Sequence, residues 1–359
     1  MPIKVFHLFS FLGIIFFILK FYKKFPKLPQ HVLLFFLFIV ITGPLQYLIY
    51  DFNKLYLAYI YSFFIFCVGY LSTYFLSESK IFKILKIITL VINIIILVKL
   101  VFHREELMRF IQSPDGHPYV FSIYGGGVNL EASWLALSTA FFINRRFFYY
   151  ILFSISLLVD ILYASRGGLV ISVTILVIRF FSVYAVRLEK RLIVFVGLLL
   201  IVTSPFFIDY SNLIEKTYAL KRFSQFASDQ DKGMQGRFAM WQYYPEAMWE
   251  SKFLGLGAVN SIYGIEKVSK KDFFEDNLHN LYMQILLEFG IIPLLLYLSI
   301  VFKTARGIIK SGFTNPIGVL LIAYFIASMS QFRGASPVFW LILGLFFGME
   351  MVKKSKNEK

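Results

Sequence analysis

The 359-residue chain is 58% hydrophobic and 19% aromatic, holds only 16% charged residues and has a mean hydropathy of +0.70. Soluble domains carry roughly 25% charge, so this composition excludes a soluble globular protein and points to an integral membrane protein with the bilayer as its solvent. The formal charge of +15 lies in short clusters between apolar runs, not in one stripe, so it marks topology and excludes nucleic acid as a partner.

A bilayer core about 30 Å thick needs about 20 apolar residues per helix. Runs of that kind predict an all-α polytopic membrane protein of about 11 transmembrane helices. The spans fall near 5–22, 31–49, 56–76, 84–102, 127–143, 148–164, 167–186, 192–207, 279–302, 316–332 and 337–351. The first lacks a small-residue cleavage site and is followed by Lys20, Lys23, Lys24 and Lys27, which predicts an uncleaved anchor with its N-terminus outside. Basic clusters then recur in alternate loops: at Lys80, Lys83 and Lys86, at Arg145 and Arg146, around Lys190, around Arg306 and in the tail "VKKSKNEK". The positive-inside rule puts these, and the C-terminus, in the cytoplasm. Cys67 is the single cysteine and sits in an apolar run, which excludes an internal disulfide and a cysteine-based metal site.

Two longer segments fall outside, at about 103–126 and about 208–278. The chain thus divides into an N-terminal transmembrane bundle (1–207, about eight spans), a large extracytoplasmic loop (208–278) and C-terminal transmembrane helices with a cytoplasmic tail (279–359). The large loop is nearly neutral and reads as a small folded layer. Within it, "GRFAMWQYYPEAMWESKFLGLG" predicts two short helices, with Pro245 in the first turn of the second and Glu246 at its positive end. If the proline only kinks the chain, Arg237, Trp241, Tyr244 and Met248 share one side, an aromatic stripe suited to the membrane interface or to sugar faces.

Charged groups at span edges are costly, so Glu131, Asp160, Arg166 and Glu288 stand out. Asp160 lies about a turn and a half before Arg166 in "VDILYASRGG", where Gly167 and Gly168 are expected to let the chain reverse. Arg166 also fits an edge arginine snorkelling to lipid phosphates, and Arg237 a solvated loop residue. Arg222, with Lys221, is a further candidate for an anionic ligand. In "FEDNLHNLYMQILLEFG" a helix starting near 277–279 would present free N–H groups as an anion site beside His279 and Asn280, and imidazole suits proton transfer near neutral pH. Glu288, about nine residues deeper and one turn from Gln284, reads as a structural intramembrane partner. Phosphate-loop, HExxH, GxSxG and Cys/His metal patterns are absent from the sequence. Two arginines and a histidine outside suit a reaction whose leaving group is a phosphate or diphosphate.

The ordered pieces "ASRGG", "GR" followed by Trp241, "FLGLG" and "HNLYMQILLEFGI" resemble the superfamily of O-antigen ligases and O-antigen polymerases, over about residues 125–300. The resemblance implies a helical bundle akin to the GT-C transferases, with an extracytoplasmic loop over a cavity and neither metal nor nucleotide-sugar cofactor. It maps catalytic roles to Arg166, Arg237 and His279 and substrate contacts to Asn280, with Arg222, Trp241 and Tyr244 as further candidates. The implied partners are an undecaprenyl-diphosphate-linked oligosaccharide, a sugar acceptor, membrane lipid and a chain-length regulator, at the bacterial inner membrane. A polymerase is the favoured reading, because the chain is short, Phe-rich and idiosyncratic in its loops. A ligase is the alternative, favoured by the "HN" pair. A lipid or polysaccharide transporter is a third reading, disfavoured by the absence of repeated halves.

Overall fold

The computed structural model describes residues 26–47, 56–112, 147–163, 165–183, 232–273, 277–311, 315–329 and 336–357, together with 12–13, 15–17, 19–21, 131–132, 135, 140–141 and 313. Among these residues the protein is all helical, without a strand. The predicted span at 192–207 and Arg222 lie outside the described residues, as does most of 5–22 and 127–143.

The chain forms two compact units: Met1–Ile81 with Gly236–Lys310 and Tyr324–Lys359, and Phe82–Gln235 with Ser311–Ala323. In the first unit, α1 (Gln30–Tyr47) and α2 (Tyr56–Ser72) coincide with predicted spans. α3 (Glu78–Phe102), which runs on into the second unit, is about 37 Å long at 1.5 Å per residue, long and apolar enough to cross a bilayer. The second unit continues with α4 (Arg104–Gln112), α5 (Phe147–Leu162) and α6 (Arg166–Val183). α4 occupies the start of a segment expected to be a loop, because its alternation of acidic and apolar residues is too short to register as a span. The first unit then resumes with α7 (Lys232–Trp241), α8 (Tyr244–Glu250), α9 (Ser261–Ser269), α10 (Leu281–Phe289) and α11 (Ile291–Lys310). α12 (Pro316–Ala327) begins in the second unit and ends in the first, and α13 (Pro337–Asn357) closes the chain.

The closest packing in the first unit is between α2 and α13. Gly344 and Gly348, spaced four apart on α13, lie against the Phe66 and Tyr70 backbone and Thr73, while Gly69 on α2 lies against the Leu341 and Leu345 backbone. A Cβ at Gly344 would stand 2.9 Å from the Tyr70 nitrogen, and one at Gly348 2.6 Å from the Tyr70 carbonyl oxygen. Small residues at this spacing let two backbones touch, which is how helices associate where lipid removes the hydrophobic drive. Around this pair lies an aromatic core: Trp340 stacks on Phe35 at 5.8 Å, and Tyr297 meets Phe325 edge-on at 6.3 Å.

The predicted single span at 279–302 is two helices. Gly290 separates α10 from α11 with φ 90° and ψ −175°, a conformation essentially confined to glycine. The break lets the Tyr282 ring turn back onto Tyr297, 5.7 Å away, with its hydroxyl donating to the Phe325 carbonyl at 3.1 Å. Hydropathy alone runs straight through Gly290, because one glycine scarcely alters a window average.

Candidate functional site

The two predicted loop helices form, as α7 and α8, with Pro245 and Glu246 in the first turn of α8. The chain breaks between Trp241 and Tyr244 and is not merely kinked by the proline. Met240, Ala247, Ile262, Ile265, Leu278 and Leu287 nevertheless close over one another as a buried core joining α7, α8, α9 and α10. This core takes in α9 from the same segment and continues into α10.

His279 is presented by that layer on a pinned turn. Leu278, fully buried, is held from both sides: its carbonyl accepts from Trp241 Nε1 at 2.8 Å and its N–H donates to Gln284 Oε1 at 3.0 Å. Asn277 Oδ1 accepts the His279 N–H at 2.9 Å, and Asn280 Oδ1 caps α10 by accepting from the Met283 N–H at 3.1 Å. Between these fixed points His279 takes φ 53°, a left-handed conformation that costs a non-glycine residue about 1–2 kcal/mol. Four neighbouring hydrogen bonds over-determine the turn, so the strain persists. His279 itself is half-buried.

The expected helix start at 277–279 is therefore corrected to Leu281. Two of its first N–H groups are engaged within the protein: Leu281 N–H donates to the Ser328 carbonyl at 2.9 Å and Met283 N–H to the Asn280 cap. Asn and His at the end of an apolar run looked like ligand-facing groups. In the structure the Asn280 side-chain oxygen caps the helix terminus.

Arg237 is half-buried on α7, one turn before Trp241 and on the same face. Because Trp241 reaches Leu278, the helix that carries Arg237 is tied to the turn that carries His279. Tyr244 adds a second tie, its hydroxyl donating to the Met283 carbonyl at 3.2 Å, and burial pushes its phenol above the ordinary value, so it remains a neutral donor. The polar tips of the predicted aromatic stripe thus point inward. Trp241→Phe would leave the Leu278 carbonyl without its donor, a loss of about 1–3 kcal/mol at a buried group. We expect extracted, folded protein with a lower melting temperature, checked by thermal unfolding in detergent.

Glu288 is the structural partner that its position suggested. Fully buried, it accepts from Tyr59 at 3.1 Å, from Ser261 at 3.2 Å and from the Gln284 amide. Gln284 therefore bridges Glu288 to the Leu278 N–H, joining the floor of α10 to the histidine turn. Tyr59 and Ser261 escaped the sequence reading because no periodicity links residues 229 and 27 positions from Glu288. The "FLGLG" stretch is zipped to the same helix end: Leu256 N–H to Leu287 O and Gly257 N–H to Glu288 O, both 2.8 Å, and Ile291 N–H to Phe253 O at 3.0 Å. Two pieces of the sequence pattern are one structural element.

In the second unit, the "ASRGG" stretch opens α6. Ser165 Oγ accepts the Gly168 N–H at 3.3 Å as an N-cap, and the Arg166 backbone is the first helical residue. Its side chain lies outside the described residues. The sequence suggests that Gly167 and Gly168 reverse the chain; instead they form the first turn of α6. Gly168 is needed for closeness, since a Cβ there would stand 2.8 Å from that of Ala132 and 3.1 Å from Asp160 Oδ1. Asp160 accepts from Ser172 Oγ at 2.8 Å. Glu131, fully buried, pairs with Lys99 Nζ at 2.7 Å and accepts from Tyr163 at 2.8 Å, so a buried ion pair steadies the residue just before this turn. Lys99 was missed because its distance in sequence from Glu131 carries no pattern.

Arg237 and His279 thus come together in one unit, Arg166 belongs to the other, and Arg222 lies outside the described residues. Residues 151–298, which contain the α6 opening, α7 to α10 and the glycine zipper, match the family model described as O-antigen ligase. That segment resembles an O-antigen ligase domain, and the match supports the superfamily of O-antigen ligases and polymerases to which the ordered sequence pieces point. The matched segment contains the residues described above except Tyr59, Lys99, Glu131, Ala132 and Ser328. No curated protein matches the chain.

Proposed function

We propose that the protein is a polysaccharide polymerase of the O-antigen or capsule type at the outer face of the inner membrane, with its N-terminus outside and its C-terminus in the cytoplasm. The observation that carries the reading is the tie from Trp241 to Leu278, which joins the Arg237 helix to the His279 turn inside the matched segment. A histidine on a strained, over-determined turn, tied to the helix of a half-buried arginine, supports group transfer to a hydroxyl, which gains from a fixed base and a fixed counter-charge.

In the proposed reaction an acceptor sugar hydroxyl attacks the anomeric carbon of an undecaprenyl-diphosphate-linked glycan. The new C–O bond forms as the bond to the diphosphate breaks, with inversion, and the electron pair leaves on the lipid diphosphate. His279 takes the hydroxyl proton, and Arg237 and Arg166 neutralise the charge growing on the diphosphate, each charged hydrogen bond contributing about 1.5–3 kcal/mol. The step uses neither a metal nor a nucleotide sugar. Asn280, Arg222, Trp241 and Tyr244 are proposed to shape the sugar site, the last two through their ring faces, since their polar tips are used inward.

The second reading is a ligase that hands the glycan to the lipid A core, supported by the "HN" pair and by the description of the matching family. Deleting the gene and complementing with wild type, Arg166→Ala, Arg237→Ala or His279→Ala separates the two on a gel of extracted surface glycan. Core capped by a single repeat unit supports the polymerase. Polymer stranded on its lipid carrier makes the protein a ligase, and an unchanged ladder overturns both.

A further inference from the structure

α11 is the helix of the site unit long and apolar enough to cross the bilayer, but its uncharged stretch stops short. From Ile291 to Phe302, before Lys303, it rises only about 18 Å, against a hydrocarbon core of about 30 Å. Snorkelling by Lys303 makes up a few ångströms at the inner end. The remainder must be covered at the outer end, beyond Gly290. α10 cannot supply it, because Leu281 and all residues from Gln284 to Phe289 are buried inside the protein.

What lies exposed at that level is the turn after α8. Trp249 is 70% and Leu254 72% exposed, although both are large apolar side chains. Trp249 lies in the last turn of α8, and Leu254 follows Lys252 and Phe253, which take left-handed conformations in succession, φ 51° and 60°. Phe253 backs Trp249 edge-on at 5.2 Å and accepts the Ile291 N–H at 3.0 Å, so the turn sits directly on the first residue of α11. On α11 itself Ile292 is 49% and Leu295 58% exposed, so large apolar side chains lie bare both on this helix and on the segment bonded to its first residue. Exposed Lys252 lies beside them, placed for lipid phosphates.

We infer that the Trp249–Leu254 turn is inserted into the outer leaflet and completes the membrane-facing surface that α11 begins. The occupant of this patch is phospholipid, with the indole at the level of the ester groups and Leu254 among the upper acyl carbons. The extramembrane layer of α7 to α10 is thereby docked on the bilayer surface through this edge. The assignment to the outer leaflet rests on the orientation proposed above, together with exposure and helix length, and not on the proposed reaction.

The full chain in nanodiscs tests it through tryptophan fluorescence, with phosphatidylcholine brominated high on the acyl chain as quencher. Wild type should be quenched by the brominated lipid, and Trp249→Phe should lose the larger part of that quenching, the other three tryptophans serving as constant background. Leu254→Trp placed in the Trp249→Phe protein should restore it, which reads the same edge independently of Trp249 packing. Equal quenching of wild type and Trp249→Phe, with none regained in the double variant, would overturn the inference.

Discussion

Arg237→Lys is expected to slow glycan transfer about 10- to 150-fold while leaving the amount of folded protein unchanged. The physical ground is that the two side chains share a charge but not a geometry. A guanidinium grips two oxygens of a phosphate through parallel N–H bonds, and an ammonium is a single point charge. Losing one such bond in the transition state forfeits about 1.5–3 kcal/mol, and each 1.36 kcal/mol is tenfold in rate. The substitution is mild for the fold, since Arg237 is half-buried and the core of the layer is built from Met240 and its apolar neighbours. Initial rates of polymer formation from lipid-linked repeat units in reconstituted membranes, normalised to folded protein, give the number. A solvated surface arginine would tolerate lysine with its rate intact, and that result would remove Arg237 from the proposed machinery.

The second large effect is expected at Gly290, on stability. Gly290→Ala forces an L residue into φ 90° and ψ −175°, a region essentially reserved for glycine, at about 1–3 kcal/mol. Its Cβ would also stand 2.6 Å from the Phe253 carbonyl oxygen and 2.8 Å from the Leu254 carbonyl carbon. Both atoms are backbone and cannot rotate away, which adds about 1–3 kcal/mol of overpacking. Relief requires lifting the glycine loop off α10, and with it the three backbone hydrogen bonds that zip the two together. Against a typical total of 5–15 kcal/mol this is a large fraction. The variant should be recovered poorly from detergent and melt well below wild type. Gly236→Ala is the matched control: nothing stands within 4 Å of a Cβ there, and alanine in a helix is favoured over glycine by about 1 kcal/mol, so it should melt at or slightly above wild type.

The membrane class, the helical character and the positions of α1, α2, α3, α5, α6, α12 and the start of α13 follow from the sequence, because a bilayer imposes a length and a polarity that no tertiary contact can waive. The two loop helices were legible for a related reason: Pro245, Glu246 and the apolar spacing act within a few residues of where they stand. The ordered pieces around Arg166, Arg237 and His279 were legible as a pattern, and residues 151–298 match the family model. What only the tertiary structure decided is how those pieces touch. That Trp241 closes on Leu278, that Tyr59 and Ser261 share Glu288, and that Gly255 and Gly290 let two loops meet backbone to backbone are contacts between distant parts of the chain. Local periodicity carries no term for such contacts. The same holds for the break at Gly290: an apolar run fixes that a helix is buried, whereas the approach of the Phe253 and Leu254 backbone from another segment fixes where that helix must end.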